Sequence, residues 1–236
     1  MDLLVVLGPT LLIVVASAIR RDPRRRREDL RTLLAWWLYV FCGTLLQLYL
    51  VHHNSPTHDS ELLAVDSWLG FPTLAVWHWA SSKLIVRETM RFIYLMLCPM
   101  MAVAWIVEQR SVLRTSLILG GMLAFIGYGL LPAVGPTVWT TGIPYSVAPR
   151  NCLPSMHLTW AALLALNCRK PWLRLTFYVF AVLTACATIA CGEHYLLDLL
   201  AAFPYTLFVL YASQKIGSKY AVPRLQQVRV NVIARA

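Results

Sequence analysis

Three residues carry the clearest chemistry in this sequence: His157 in APRNCLPSMHLTW (148–160), and His194 and Asp198 in CGEHYLLD (191–198). His194 and Asp198 are four positions apart, which on a helix puts them on one face. A carboxylate there can fix one imidazole tautomer and support its positive charge, as a nucleophilic histidine requires. In the first segment Pro154 suits a first helical turn and Ser155 suits a cap. The free amides of that helix end, with His157 one turn in, make a ready phosphate cradle. Ionisable groups at the ends of apolar spans are costly and more often functional than structural. His52, His53, His58 and His78 have no such partners in the sequence and read as polar interfacial residues.

For the two imidazoles to cooperate, the intervening chain must return to its starting depth. His157 and His194 are 37 residues apart, which fits a hairpin of two helices of about 18 residues each. The wider sequence supplies the setting. Of its 236 residues 58% are hydrophobic, and the mean hydropathy is +0.61. Several runs of about 17 to 20 residues carry few charges, long enough to cross a ~30 Å hydrocarbon core. The net charge of +10 would suggest nucleic acid had the cations clustered on one face, but they lie between apolar runs.

The expected fold is therefore all-α: a polytopic transmembrane bundle of six or seven spans, with an interfacial or re-entrant, tryptophan-rich segment at about 62–85 broken by Gly70 and Pro72. An extra short span there is the alternative. Spans are expected at 2–19, 33–51, 92–108, 115–132, 155–168, 173–191 and 195–212. Residues 1–214 form one catalytic domain, in which 1–31 is an anchor with a basic loop and 125–205 is the motif-bearing core. Residues 215–236 form a basic cytoplasmic tail. The absence of positive charge before the first run, and RRDPRRRR after it, reverse the pattern of a signal peptide. Placing that basic segment inside puts 17 of the 21 lysines and arginines on the cytoplasmic side. Lys83, Arg87, Arg91 and Arg150 are left outside, on the same side as the two histidine segments.

The motif pair resembles the type 2 phosphatidic acid phosphatase superfamily, whose signatures are Pro-Ser-x-His and a His followed four residues on by Asp. LLPAVGP, NCLPSMHLTWA and GEHYLLD are closest to the branch of inositol phosphorylceramide synthase and the sphingomyelin synthases. The resemblance covers about residues 125–205. It implies His194 as nucleophile, Asp198 as its orienting partner, and His157 as the acid that protonates the leaving oxygen and then activates the second acceptor. It implies no metal and no other cofactor, and a lipid phosphate as substrate.

The sequence departs from the superfamily in its cations. A Ser-Arg pair normally stands seven and six residues before the nucleophile, where Ala187 and Thr188 stand here. The lysine and Arg-Pro motif is also absent in strict form, with Phe92 in place of its proline. A metal-free site needs fixed cations against the phosphate. Arg150 is the first candidate, and Lys83, Arg87 and Arg91, repeating every four residues along one helix face, are the others. A headgroup-binding face is the equal alternative for those three. Glu193 and Tyr195 flank the nucleophile and are candidate substrate contacts.

The expected activity is hydrolysis of a lipid phosphate or diphosphate at the non-cytoplasmic face of the cell membrane. A head-group phosphotransferase is the alternative, and a non-catalytic transporter with a proton relay is the rival from another class. Among the six cysteines no spacing reads as a zinc site. Cys152 and Cys191 both fall near the outer face, where an oxidising compartment would allow a disulfide.

Overall fold

A computed structural model describes residues 10–221, except 12, 16, 20–21, 54–55, 109–110 and 142–147. The expected first span at 2–19, its basic loop and the tail lie largely outside the described residues, and so does Arg110. Helical backbone covers the described residues between 10 and 19, and no strand occurs among the described residues. Ten helices follow: α1 (Pro23–His52), α2 (Asp59–Trp68), α3 (Thr73–Ser82), α4 (Leu84–Leu95), α5 (Leu97–Glu108), α6 (Ser111–Leu130), α7 (Pro136–Thr141), α8 (Met156–Asn167), α9 (Pro171–Ala190) and α10 (Leu196–Ala221).

Five stretches among the described residues are long and apolar enough to cross a membrane: Arg26–His52, Leu84–Glu108, Ser111–Leu130, Pro171–Ala190 and Leu196–Ile216. The bundle is thus helical and membrane-spanning in character, but two expected elements differ. The span expected at 155–168 is α8, with 12 residues. That gives about 18 Å of helix, too little to cross the hydrocarbon core alone. α8 is instead the central pillar, with Met156, Leu158, Trp160, Ala161, Leu163 and Leu164 all buried. A helix that is apolar on every side is stable only when neighbours cover every side. Trp160 Nε1 donates to Leu117 O of α6 at 2.9 Å, and Asn167 Nδ2 to Ser116 Oγ at 3.2 Å.

The second difference is the span expected at 92–108. Its helix begins at Leu84, and α4 and α5 run almost end to end with a break at Met96. Pro99 lacks the N–H that would bond back to Leu95, which accounts for the break. The segment 62–85 forms two ten-residue helices, α2 and α3, joined through Gly70 at φ +74°. Neither is long enough to span alone, at about 15 Å each.

At the opposite end of the bundle from the motif segments, Arg114 is not a solvated loop cation. It is buried, with its guanidinium 3.1 Å from Asp29, which also accepts from Trp105 Nε1 at 3.4 Å and Ser17 Oγ at 3.1 Å. A desolvated charge persists only when paired in this way.

Candidate active site

The site is built from the end of α9, the start of α10 and the start of α8. α9 closes in a Schellman turn: Gly192 N donates to Ile189 O at 2.9 Å and Glu193 N to Thr188 O at 3.0 Å. Gly192 holds φ +69°, and a Cβ there would lie 2.7 Å from Cδ1 of Trp77. Glycine is therefore required by both conformation and space. The turn reverses the chain and delivers His194 back toward α8.

α10 starts at Leu196, and Asp198 lies in its first turn, where the helix dipole favours a carboxylate. Asp198 Oδ2 accepts from Tyr195 N at 2.9 Å and from His194 Nδ1 at 3.2 Å. A carboxylate acceptor at Nδ1 selects the Nδ1–H tautomer of neutral His194, which leaves the Nε2 lone pair available. His194 is 4% exposed and Asp198 fully buried.

Ser155 caps α8, its hydroxyl oxygen accepting from Leu158 N at 3.5 Å. Pro154 stands before that cap and not within the first turn as expected, because Met156 is the first helical residue. Ser155 N donates to Asp198 O at 3.2 Å, which ties the two motif segments together. One residue into α8, His157 faces His194 with ring centroids 6.0 Å apart at 63°. The hairpin expected from spacing forms, although its arms have 12 and 20 residues and not two equal lengths.

Three partners of this centre went unread in the sequence. Tyr94 of α4 stacks on His157, with centroids 4.0 Å apart and planes 25° from parallel. Asp66 of α2 caps α10 from 130 residues away, accepting from Leu196 N at 2.8 Å and Leu197 N at 3.0 Å, and Thr73 Oγ1 donates to it as well. Asp59, about two turns before Asp66 on the same face of α2, accepts from Val134 N at 3.1 Å and Gly135 N at 2.9 Å. Tyr195 OH also donates to Asp59, at 2.9 Å. The signal for both carboxylates was present: two aspartates seven apart, and so on one helical face, flanking the apolar LLAV.

Asp66→Ala would leave two helix-terminal amides without their acceptor. The variant is expected to lose roughly 1–3 kcal/mol of stability, read as a lower unfolding midpoint in detergent micelles, with Asp66→Asn intermediate.

The remaining candidates separate. Tyr195 is fully buried with its hydroxyl engaged by Asp59, so its place is in the scaffold and not on an open substrate surface. Glu193 is exposed at the turn, and its carbonyl accepts from Cys152 Sγ at 3.3 Å. Arg150 is fully buried: its N donates to Gln47 Oε1 at 2.6 Å, and its guanidinium donates to Leu50 O at the end of α1. Lys83 and Arg87 are exposed, and Arg87 Nε lies 2.9 Å from Glu88 Oε1. Arg91 is likewise exposed on α4. Burial and then Glu193 push the Cys191 thiol up to about 11, and the Arg91 charge opposes them. Ala187 and Thr188 are buried and bring no cation. Cys152 and Cys191 are both free thiols. The other histidines have local contacts: His53 with Tyr49 O, His58 with Glu61, and His78 with the Trp77 ring.

A buried imidazole held at Nδ1 by a carboxylate, opposite a second imidazole at a helix N-terminus, is equipped to attack an electrophile and to move a proton on its far side. Comparison with known proteins points the same way. No curated protein and no solved structure gives a match, but the family model for the PAP2 superfamily matches residues 60–212. That stretch takes in Asp66 of α2, Tyr94, both histidine segments and α10 as far as residue 212, so the chain belongs to the PAP2 superfamily, whose type 2 phosphatidic acid phosphatase chemistry is phosphoryl transfer.

Proposed function

We propose that the protein hydrolyses a lipid phosphate or diphosphate by two displacements through a phosphohistidine, without a metal. The observation that carries the reading is the opposed pair of imidazoles, 6.0 Å apart, with His194 Nδ1 held by Asp198. His194 Nε2 attacks phosphorus, the N–P bond forms, and the P–O bond to the leaving group breaks. His157, whose pKa burial and then the facing His194 push down to about 3, takes up a proton as the phosphate anion binds and gives it to the departing oxygen. Neutral His157 then takes a proton from water, the resulting hydroxide attacks phosphorus, and the N–P bond breaks to release phosphate and free His194.

Charge on the phosphate is met by Arg91 of α4, whose charge is felt at Cys191, by the α8 N-terminus capped at Ser155, and by exposed Arg87 with Lys83. Lys83 precedes α4 in extended conformation and is not on its helical face; these cations also attract anionic headgroups. Arg150 acts from its buried position as a fixed positive charge beside the loop. The site faces the non-cytoplasmic side of the cell membrane and the C-terminus is cytoplasmic, a placement supported by the distribution of lysine and arginine. Lipid enters sideways between helices, and Glu193 at the exposed turn meets its headgroup.

A phosphate-release screen in excess EDTA over phosphatidate, phosphatidylglycerol phosphate, polyprenyl diphosphate and phosphoinositides tests the reading. Release from at least one is expected. The replacement of the Ser-Arg pair by Ala187 and Thr188 favours a second reading, transfer to an alcohol such as inositol. Label passing from lipid to alcohol with little free phosphate would establish that reading over hydrolysis. Failure of both reactions would leave a non-catalytic transporter.

The Tyr94 stack fixes the plane of the His157 imidazole. Tyr94→Leu is expected to lower turnover by about tenfold, equivalent to the loss of one aromatic pair. Tyr94→Phe, which keeps the ring, should retain nearly full kcat.

A further inference from the structure

No cysteine or histidine spacing in the sequence reads as a metal site, yet the fold brings three ligand types to one point. Cys152 Sγ, an imidazole nitrogen of His194 and a carboxylate oxygen of Asp198 all lie within 4.8 Å of one another. All three residues are buried. Sulfur, imidazole nitrogen and carboxylate oxygen together form the donor set that zinc and its softer congener cadmium accept. A second observation points to a cation. Asp198 Oδ2 takes both His194 Nδ1 and Tyr195 N, whereas Oδ1 is buried and has no hydrogen-bond partner among the described residues. A desolvated carboxylate oxygen without a donor is costly, and a cation would satisfy it. The 3.2 Å between His194 Nδ1 and Asp198 Oδ2 is also close to the edge of a tetrahedron with metal–ligand bonds of about 2.0 Å.

We propose that Cys152, His194 and Asp198 form an inhibitory site for a soft divalent cation of the zinc and cadmium class. On binding, the Cys152 thiol loses its proton to solvent and forms a sulfur–metal bond. His194 turns its Nδ1 lone pair to the metal, and the Nδ1 proton is exchanged through solvent onto Nε2, so the net release is one proton. The ion thereby imposes the Nε2–H tautomer, which has no lone pair left for phosphorus, and removes Asp198 from its orienting role. Metal occupancy and phosphoryl transfer are mutually exclusive at this histidine. Binding itself does not depend on the proposed reaction; only the inhibition does.

The test uses the full chain in detergent with its thiols reduced. Cadmium is titrated into wild type and Cys152→Ser, and the near-ultraviolet absorbance of cadmium–thiolate bonds is followed. In parallel, zinc is titrated into the phosphate-release assay. Cys152→Ser should keep its basal rate, lose part of the thiolate band, and bind cadmium at least about tenfold more weakly, with zinc inhibition weakened to match and relieved by EDTA in wild type. Cys152→Ala serves as the second variant and should behave alike. A thiolate band and affinity unchanged in both variants would assign the metal to the other five cysteines and overturn the proposal. Should no lipid release phosphate, the functional reading fails, while the cadmium band still decides the site.

Discussion

His194→Ala is expected to reduce phosphate release by about 10⁴-fold or more, since removal of a covalent nucleophile leaves only binding and electrostatic terms. The side chain is the only group of the centre whose ring is both held by a carboxylate at Nδ1 and opposed by a second imidazole. Its loss leaves Asp198 Oδ2 with the Tyr195 amide, so the start of α10 keeps its local bond and the fold should survive. Rapid acid-free quenching after exposure to labelled lipid phosphate gives the decisive comparison. Wild type should carry acid-labile, base-stable label on His194, and the variant none. Label on another residue of the wild type would sink the assignment of roles, even with the rate loss intact.

His157→Ala is expected to lower hydrolysis by roughly 10²–10⁴-fold, the range of a general acid–base group. The effect should depend on the leaving group. A lipid alkoxide needs a proton as it departs, whereas a nitrophenolate does not. With nitrophenyl phosphate the first step should therefore be nearly restored, while the second still lacks a base to activate water. The phosphohistidine should accumulate, visible as a burst of nitrophenolate followed by slow turnover. An equal loss on both substrates, without a burst, would show that His157 binds phosphate and does not transfer protons. His157→Asn, which retains polarity at the α8 N-terminus next to Tyr94, separates packing from proton transfer.

How much of this was readable beforehand follows the distance over which each interaction acts. The helical, membrane-spanning class was legible, because long apolar runs leave the backbone in hydrocarbon no other partner than itself. The His194–Asp198 pair was legible because a spacing of four within one helical turn needs no tertiary information. The meeting of His157 with His194 was legible in outline from 37 residues of hairpin, but not in its unequal arms. Periodicity cannot distinguish a helix that crosses the bilayer from a 12-residue pillar surrounded by other helices. The start of the span at Leu84 was missed for another reason: the charges of Arg87, Glu88 and Arg91 interrupt the apolar run that continues through α5.

By itself, then, the sequence determined the His194–Asp198 pairing and the solvent that surrounds the chain, since both are written in residue type and short spacing. Only the tertiary structure decided what holds those residues in place. The cap on α10 comes from Asp66, 130 positions away, the Tyr195 hydroxyl meets Asp59 across 136, and the ring over His157 belongs to another helix. The burial of Arg150 and the convergence of Cys152 on His194 were decided in the same way. The physical reason is that buried carboxylates, amides and rings must find partners once water is excluded, and which partner is within reach depends on how the helices pack, not on their order along the chain.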